Sequence, residues 1–157
     1  MKTILWLLLT VCILFADKTI IGKYDTIDLI EFELYDIKAK IDTGAKTSSL
    51  HCTNISLLEN NQVSFTIFDQ SHKKYTPVTI TRPISRIAQV KSSNGKEQKR
   101  YFIITKIKLF DKIYETEFSL NDRSSMNFPI LLGRSLLQEG FLVDVTQEYL
   151  SRNKTLE

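Results

Sequence analysis

The fold is decided by the stretch at 37–45, which reads Ile37-Lys38-Ala39-Lys40-Ile41-Asp42-Thr43-Gly44-Ala45. Apolar and charged residues alternate up to Ile41, and this period of two is typical of a strand with one face in a core and the other in water. The pattern predicts a strand that presents Asp42 at its end. Asp and Gly are also ordinary turn formers at strand ends, so the tripeptide alone does not distinguish a catalytic loop from a plain turn.

The residues after this strand suit catalysis by paired carboxylates. In such a dyad two carboxylates within about 3 Å share one proton, and one acts as base on a water while the other acts as acid on a carbonyl. Gly44 has no side chain to block that approach, and the Thr43 hydroxyl can hydrogen-bond across it. We therefore interpret Asp42, Thr43 and Gly44 as candidate catalytic residues.

The second carboxylate has two candidate sources. The chain is too short to hold two lobes that each carry such a loop, so we expect Asp42 of a second subunit, placed by a twofold axis, to complete the dyad. The predicted active unit is a homodimer. The alternative is an intramolecular dyad with Asp144, which follows an apolar strand near the C-terminus.

An apolar N-terminal segment predicts export. Residues 4–16 contain one polar residue, Thr10, and are fewer than the roughly 18 to 20 that span a bilayer. We interpret 1–16 as a signal peptide and 17–157 as one periplasmic domain. Leu14 is not the small residue expected near cleavage after Ala16, so an uncleaved inner-membrane anchor stays open, and lipidation at Cys12 is a third alternative.

Charge and cysteine content narrow the class of partner. The formal net charge of +3 falls to +2 if Lys2 leaves with the signal, which is too small to indicate nucleic acid or a membrane surface. We expect a peptide or protein substrate and no nucleic acid, with membrane contact only through an uncleaved N-terminal segment. Cys52 is the one cysteine outside that segment, so no intramolecular disulfide is predicted.

Most of the domain has the pattern of short strands. Alternating or apolar runs rich in Ile, Val, Phe and Tyr occupy 19–24, 28–34, 63–68, 78–80, 100–110 and 112–120. A short helical pattern covers 135–139 and stops at Gly140. Many strands with one late helix predict an all-β fold that closes, or nearly closes, into a barrel.

A second segment changes the interpretation of Asp42. Residues 128–137 read Phe128-Pro129-Ile130-Leu131-Leu132-Gly133-Arg134-Ser135-Leu136-Leu137. Together with the Asp42 loop, this segment resembles the retropepsin-like aspartic peptidases, in which an apolar strand ending in Gly-Arg and a short helix pack beside the Asp-Thr-Gly loop. The resemblance implies a closed retropepsin-like barrel and supporting roles for Ala45, Gly133 and Arg134.

The contact made by Arg134 is left open by the sequence. In retropepsins the corresponding arginine braces the loop through an acidic residue just after it, but this chain has Lys46 and Thr47 there. We therefore expect Arg134 to pair instead with Asp122, with Asp144 or with a backbone carbonyl. We interpret both Arg134 and Arg123 as structural residues and not as substrate-binding residues.

Further signals lie in 39–51, in 90–95 with Arg100, and in 121–126. Together these segments resemble a bacterial family labelled ATP-dependent zinc proteases, whose RimB branch is associated with the RimK glutamate ligase. The label implies ATP and zinc, but Ala45 interrupts the Gly-Lys pair that a phosphate-binding loop needs. The one conceivable zinc set is Asp42, His51 and His72, and no His-Glu-x-x-His helix is present. We predict neither a cofactor nor a metal.

A hairpin near the middle of the chain carries a substrate hypothesis. Asn94-Gly95 is a strong two-residue turn signal between 87–91 and 100–105, so we predict a projecting hairpin. Lys91, Asn94, Lys96 and Arg100 are candidate substrate-binding residues on it, suited to acidic or glutamate-rich peptides. The alternative is a solvated surface hairpin whose lysines only keep it soluble.

These observations favour an exported aspartic-type peptidase that uses water as nucleophile. Two alternatives stay open at this point. One is a peptide-binding module that has the fold without the activity. The other is a metal-dependent peptidase that acts through Asp42 and His51.

Overall fold

The computed structural model describes residues 18–67, 77–91 and 97–153. In these ranges the regular structure is mainly β, with the strands β1 (Thr19–Ile21), β2 (Tyr24–Leu29), β3 (Leu34–Ile41), β4 (Ser48–His51), β5 (Thr53–Leu58), β6 (Gln62–Ile67), β7 (Val78–Pro83), β8 (Arg86–Lys91), β9 (Glu97–Leu109), β10 (Lys112–Asn121), β11 (Ile130–Leu132) and β12 (Phe141–Val143). The helices of the same ranges are short: α1 (Arg134–Leu137), α2 (Leu150–Asn153) and a 3-10 turn at Ile30–Phe32.

Six strands close into a barrel in the order β10-β4-β11-β3-β2-β9. The barrel closes because β9 and β10 form an antiparallel hairpin in which Lys112 lies opposite Leu109. Its strands pair in both senses, since β11 runs parallel to β3 and antiparallel to β4. The prediction of an all-β fold with a closed barrel is confirmed.

The strand that leads to Asp42 has the burial that its sequence predicts. Ile37, Ala39 and Ile41 of β3 are buried, whereas Lys38 and Lys40 lie on its more exposed face. The core that receives them is mainly apolar. Its largest fully buried side chains are Phe65, Phe118, Ile21, Ile27, Leu29, Leu50, Ile103, Ile107, Leu109, Leu120, Ile130 and Leu132.

Three smaller pairings complete the sheet structure. Strand β8 pairs with the first half of β9, from Arg86 opposite Phe102 to Lys91 opposite Glu97, and extends the sheet beyond the barrel as a hairpin. This is the pairing expected of the predicted hairpin, whose turn at 92–96 lies outside the described residues. Strands β5, β6 and β7 form a separate antiparallel sheet, and β1 runs parallel to β12.

The predicted strand at 28–34 is wrong. Strand β2 ends at Leu29, the 3-10 turn follows, and Glu33 adopts a left-handed conformation with φ of 56° before β3 begins at Leu34. Phe32 and Leu34 are both buried, so the turn preserves the apolar alternation that suggested a continuous strand.

The predicted late helix is present as α1, which begins one residue earlier than expected and ends two residues earlier. Gly140, which has φ of 120°, follows it before β12. Helix α2 was not predicted, because four residues are too few to show a helical period.

The predicted signal peptide at 1–16 lies outside the described residues and stays a prediction. Among the residues that the structure describes, no helix has the length and apolar character needed to cross a membrane.

Candidate active site

Asp42 lies directly beyond the end of β3, where the sequence predicts it. Its backbone amide donates to the Leu132 carbonyl of β11 at 2.9 Å, which continues the strand pairing by one residue. Its Oδ1 accepts the amides of Gly44 at 3.0 Å and Ala45 at 3.1 Å. These two bonds orient the half-buried carboxylate and leave Oδ2 without a partner among the described residues.

The loop that carries Asp42 is held from outside by α1. Arg134 Nη1 donates to the carbonyls of Thr43 at 2.9 Å and Gly44 at 2.8 Å. Backbone amides at the start of the helix bind the next two loop carbonyls. The Arg134 amide donates to the Ala45 carbonyl and the Ser135 amide donates to the Lys46 carbonyl, both at 3.0 Å. These bonds fix four consecutive carbonyls of the loop. Of the partners predicted for the Arg134 side chain, which were Asp122, Asp144 or a backbone carbonyl, the structure shows backbone carbonyls.

Gly133 is required by the closeness of the loop to α1. A Cβ at this position would lie 2.7 Å from the carbonyl carbon of Thr47 and 2.9 Å from its carbonyl oxygen, which is closer than real Cβ contacts. The amide of Gly133 also donates to Ser48 Oγ at 3.1 Å. The structure therefore brings Ala45, Gly133 and Arg134 around the Asp42 loop, as the sequence predicts.

A cavity of about 380 Å³ opens beside Asp42. One wall is aromatic, because the rings of Tyr24 and Phe128 stack with their centroids 4.5 Å apart. Lys40, Arg123, Met126, Asn127 and Leu131 complete the lining. Sequence reasoning missed this wall, since Tyr24 and Phe128 lie far apart along the chain and no local pattern links them.

Arg123 places positive charge near Asp42, and Arg100 lies near Arg123. Burial lowers the pKa of the Arg123 guanidinium, the charge of Arg100 lowers it further, and the carboxylate of Asp42 opposes both effects. Burial also lowers the pKa of Arg100, whose Nε is buried without a hydrogen-bond partner among the described residues. Arg100 was a predicted substrate-binding residue, whereas Arg123 was interpreted as structural.

The other predicted substrate-binding residues are Lys91, Asn94 and Lys96. Lys91 ends β8, but its side chain is outside the described part of the structure. Asn94 and Lys96 belong to the undescribed turn, so their roles stay predictions.

The carboxylate of Asp144 accepts hydrogen bonds within its own turn. Its Oδ1 accepts the Thr146 amide at 2.9 Å and the Thr146 hydroxyl at 2.6 Å. These bonds lower the pKa of Asp144. No contact given by the described residues joins it to Asp42, and it does not line the cavity. The described contacts therefore give no support to the intramolecular dyad with Asp144.

His51 is buried, and its Nδ1 takes part in a hydrogen bond. It accepts the backbone amide of Arg123 at 2.8 Å, so the ring proton of the neutral imidazole lies on Nε2. Asp122 Oδ1 is 3.9 Å from the same nitrogen. Within the described residues no group of three His, Cys, Asp or Glu side chains is placed to hold a metal, and His72 lies outside them.

A closed barrel with an Asp-Thr-Gly loop at a strand end, braced by a Gly-Arg helix, defines the retropepsin-like class of fold. The comparison with protein families agrees: the RimB-like family, described as retropepsin-like aspartic endopeptidase RimB, matches residues 20–154. The chain belongs to this family, and the resemblance noted in its sequence is confirmed.

Relatives of known name are longer proteins. The chain is 34% identical over 130 residues to a probable alpha-L-glutamate ligase of Desulfotalea psychrophila, and the match covers 81% of this chain and 28% of that protein. A probable alpha-L-glutamate ligase of Shewanella pealeana is 32% identical over 136 residues, covering 85% and 30%. The chain therefore spans less than a third of these ligases.

A solved structure has the same fold over its full length. The protein Lpg0085 of Legionella pneumophila, described as of unknown function, superposes with a TM-score of 0.71 at 26% sequence identity. The match covers 85% of this chain and 98% of the Legionella chain.

Proposed function

We propose that the chain is an aspartic-type peptidase in which Asp42 activates a water molecule. The observation that carries the proposal is the fixed carboxylate of Asp42 at the edge of the 380 Å³ cavity. A loop whose carbonyls are tied to α1 keeps the carboxylate in place, and preorganised geometry of this kind is what acid–base catalysis requires. The family to which the chain belongs supports the same chemistry.

The reaction needs a second carboxylate, and we propose that Asp42 of a second subunit supplies it. The ionised carboxylate takes a proton from water, whose oxygen attacks the scissile carbonyl carbon, while the protonated partner gives its proton to the carbonyl oxygen. Collapse of the resulting diol breaks the C–N bond, and the amine leaves with a proton. Asp144 is held by Thr146 and does not offer itself as the partner.

Acidic peptides are the substrate class that we propose. Arg100 and Arg123 repel each other electrostatically, both are partly buried, and the Nε of Arg100 lacks a partner among the described residues. A substrate carboxylate would offset the repulsion between the two arginines and give Arg100 Nε a hydrogen-bond acceptor. Charge-assisted bonds to guanidinium groups are strong and often bidentate. The likeness of the chain to part of glutamate ligases supports a glutamate-bearing substrate.

We also propose that the protein is exported, because the apolar run at 4–16 has the length and composition typical of the core of a signal peptide. Fractionation of cells that produce the full chain tests this: the protein is expected in the periplasm without its first residues. Recovery of the complete chain from the cytoplasm would contradict it.

Cleavage assays with the purified protein test the main proposal. Glutamate-rich and neutral peptides of equal length are incubated across a range of pH with wild-type protein, with Asp42→Asn, and with wild-type protein plus a chelator. We expect cleavage by the wild type, no loss with the chelator, and loss in Asp42→Asn. Loss with the chelator would support metal-dependent chemistry instead.

One observation favours a second function. The domain resembles less than a third of proteins named as ligases, so it can serve there as a module that recognises a glutamate-bearing partner. A binding module of this kind would bind glutamate-rich peptides with the wild-type affinity after the Asp42→Asn change, and the wild type would cleave none of them.

A further inference from the structure

The carboxylate of Glu117 in β10 gathers donors from the start of the β8–β9 hairpin. Arg86 donates through Nε to Oε1 at 3.1 Å and through Nη2 to Oε2 at 2.9 Å, a bidentate pair. Ser85 Oγ also donates to Oε1, at 2.8 Å. Bidentate arginine–carboxylate pairs fix geometry as well as charge, so this contact ties the beginning of β8 to the barrel.

The same guanidinium stacks on the strand that faces β8. Its central carbon lies 3.5 Å from the ring centroid of Phe102 in β9, which is also the residue opposite Arg86 in the ladder. Phe102 is the junction of the hairpin with the barrel, since it pairs with Arg86 on one side and with Ser119 of β10 on the other. Arg86 thus sits where the hairpin leaves the barrel.

Arg86 also reaches the loop of Asp42. Its Nη2 donates to Thr47 Oγ1 at 3.4 Å, and Thr47 is the last residue of that loop before β4. The backbone of Thr47 packs against Gly133, where even a Cβ would not fit, so movement of Thr47 is transmitted directly to the turn before α1. One side chain therefore joins the hairpin, the barrel and the catalytic loop.

Arg100 lies on the same face of the hairpin as this contact. It is opposite Ala88, and this pair lies two residues along each strand from the pair of Arg86 and Phe102. Directly opposed residues share a face of the sheet, and so do residues two apart along a strand. The position of the hairpin on the barrel consequently decides where Arg100 stands relative to Asp42.

We infer that Arg86 is a positioning residue that couples the β8–β9 hairpin to the catalytic loop. By binding both Glu117 and Thr47, its guanidinium fixes the position of Arg100 relative to the loop of Asp42. The structural coupling stands on these contacts alone. Its effect on cleavage rests on the proposed peptidase function.

A matched control lies elsewhere in the chain. Arg82 of β7 stacks over the ring of Phe32 at 5.0 Å and pairs with Glu31 at 3.5 Å, so it repeats the combination of arginine, phenylalanine and glutamate. It does not line the cavity and has no contact with the Asp42 loop among the described residues. Arg82→Gln therefore removes a similar contact without touching the proposed coupling.

Hydrogen exchange measures the coupling without any need for activity. In Arg86→Gln we expect the amides of Gly44 and Ala45, which bind Asp42 Oδ1, to exchange about fivefold faster, the size expected for one lost hydrogen bond. Arg82→Gln should leave both at the wild-type rate. Unchanged exchange at these amides in a folded Arg86→Gln protein would overturn the inference.

Kinetics supply the second readout. Arg86→Gln is expected to raise KM for a glutamate-rich peptide by about tenfold, as misplacement of a binding group does, with a smaller effect on a neutral peptide. Arg86→Lys, which keeps the charge, should recover part of this loss. An equal effect on the two peptides, or an effect no larger than that of Arg82→Gln, would contradict the inference.

Thr47→Val provides a variant that keeps the Arg86–Glu117 pair, in case Arg86→Gln fails to fold. It should also speed exchange at Gly44 and Ala45, and Thr47→Ser should do so less. If neither variant changes exchange, the coupling is wrong. If exchange changes as expected but no protein cleaves any peptide, the coupling holds and the peptidase proposal fails.

Discussion

Asp42 and Asp144 each follow the end of a strand, and their turns are built alike. Asp42 follows β3 and Asp144 follows the short strand β12, and each accepts the amide two residues further along through its Oδ1. The difference lies in what surrounds them. Asp144 is capped by the hydroxyl of Thr146, whereas Asp42 faces a cavity and its loop is fixed by Arg134.

The comparison shows that turn chemistry alone does not make a catalytic site. A strand-end aspartate normally satisfies itself locally, as Asp144 does. At Asp42 the loop carbonyls are turned towards α1, and Oδ2 lacks a partner among the described residues. The external brace, rather than the tripeptide, distinguishes the candidate catalytic carboxylate.

The largest expected effect separates the two carboxylates directly. Asp42→Asn should lower kcat/KM by about 10²–10⁴-fold, because it removes the general acid–base group. Asp144→Asn should leave cleavage near the wild-type rate. Steady-state kinetics on one acidic peptide measure both, and equal losses in the two variants would abolish the distinction drawn here.

A smaller loss is expected when the brace is removed. Arg134→Met keeps the length of the side chain but loses two bonds to the carbonyls of Thr43 and Gly44, at a cost of about 1–2 kcal/mol in the free energy of unfolding. The control is Arg152→Met, which breaks a surface pair with Asp36 worth about 0–1 kcal/mol. Urea denaturation compares them, and an Arg152 effect as large as the Arg134 effect would refute a special role for the brace.

The charge near Asp42 should affect selectivity more than rate. Arg123→Gln is expected to raise KM for a glutamate-rich peptide by about tenfold, the loss of one charge-assisted contact, and to spare a neutral peptide. Arg152→Gln, away from the cavity, is the matched control. Loss of activity on both peptides alike would show that Arg123 supports the fold and not the substrate.

The smallest effect concerns the acid stability contributed by Asp144. Its pKa is held below the ordinary value of 3.8 by Thr146, so it stabilises the fold above pH 3.8, and this contribution is lost as pH falls through the native pKa. Thr146→Val should bring the pKa of Asp144 back towards 3.8 without changing cleavage. NMR titration of the carboxyl carbon measures it, and an unmoved pKa would contradict the assignment.

Much of the barrel could be predicted because its strands keep a period of two. The burial of Ile37, Ala39 and Ile41 follows directly from their spacing, and the glycine and arginine at 133–134 mark the approach of loop and helix. The turn at Ile30–Phe32 could not be predicted, since buried Phe32 and Leu34 continue the apolar alternation across it.

The parts of the site that sequence missed depend on contacts between distant segments. Tyr24 stacks on Phe128, and Arg86 binds both Glu117 and Thr47, which lie 31 and 39 positions away. No local pattern encodes such pairs, because they exist only after the barrel has closed. Arg123 was interpreted as structural for the same reason.

The proposed mechanism pairs Asp42 with its own copy in a second subunit. Wild-type and Asp42→Asn subunits with different tags can be produced together in known ratios and assayed as the mixed population. For a dyad shared between two subunits, activity at equal mixing should fall to about one quarter of the value for wild type alone, since random pairing makes only that fraction of intact dimers. Activity that falls to about one half, in proportion to the wild-type fraction, would mean that each subunit acts alone and would rule out the shared dyad.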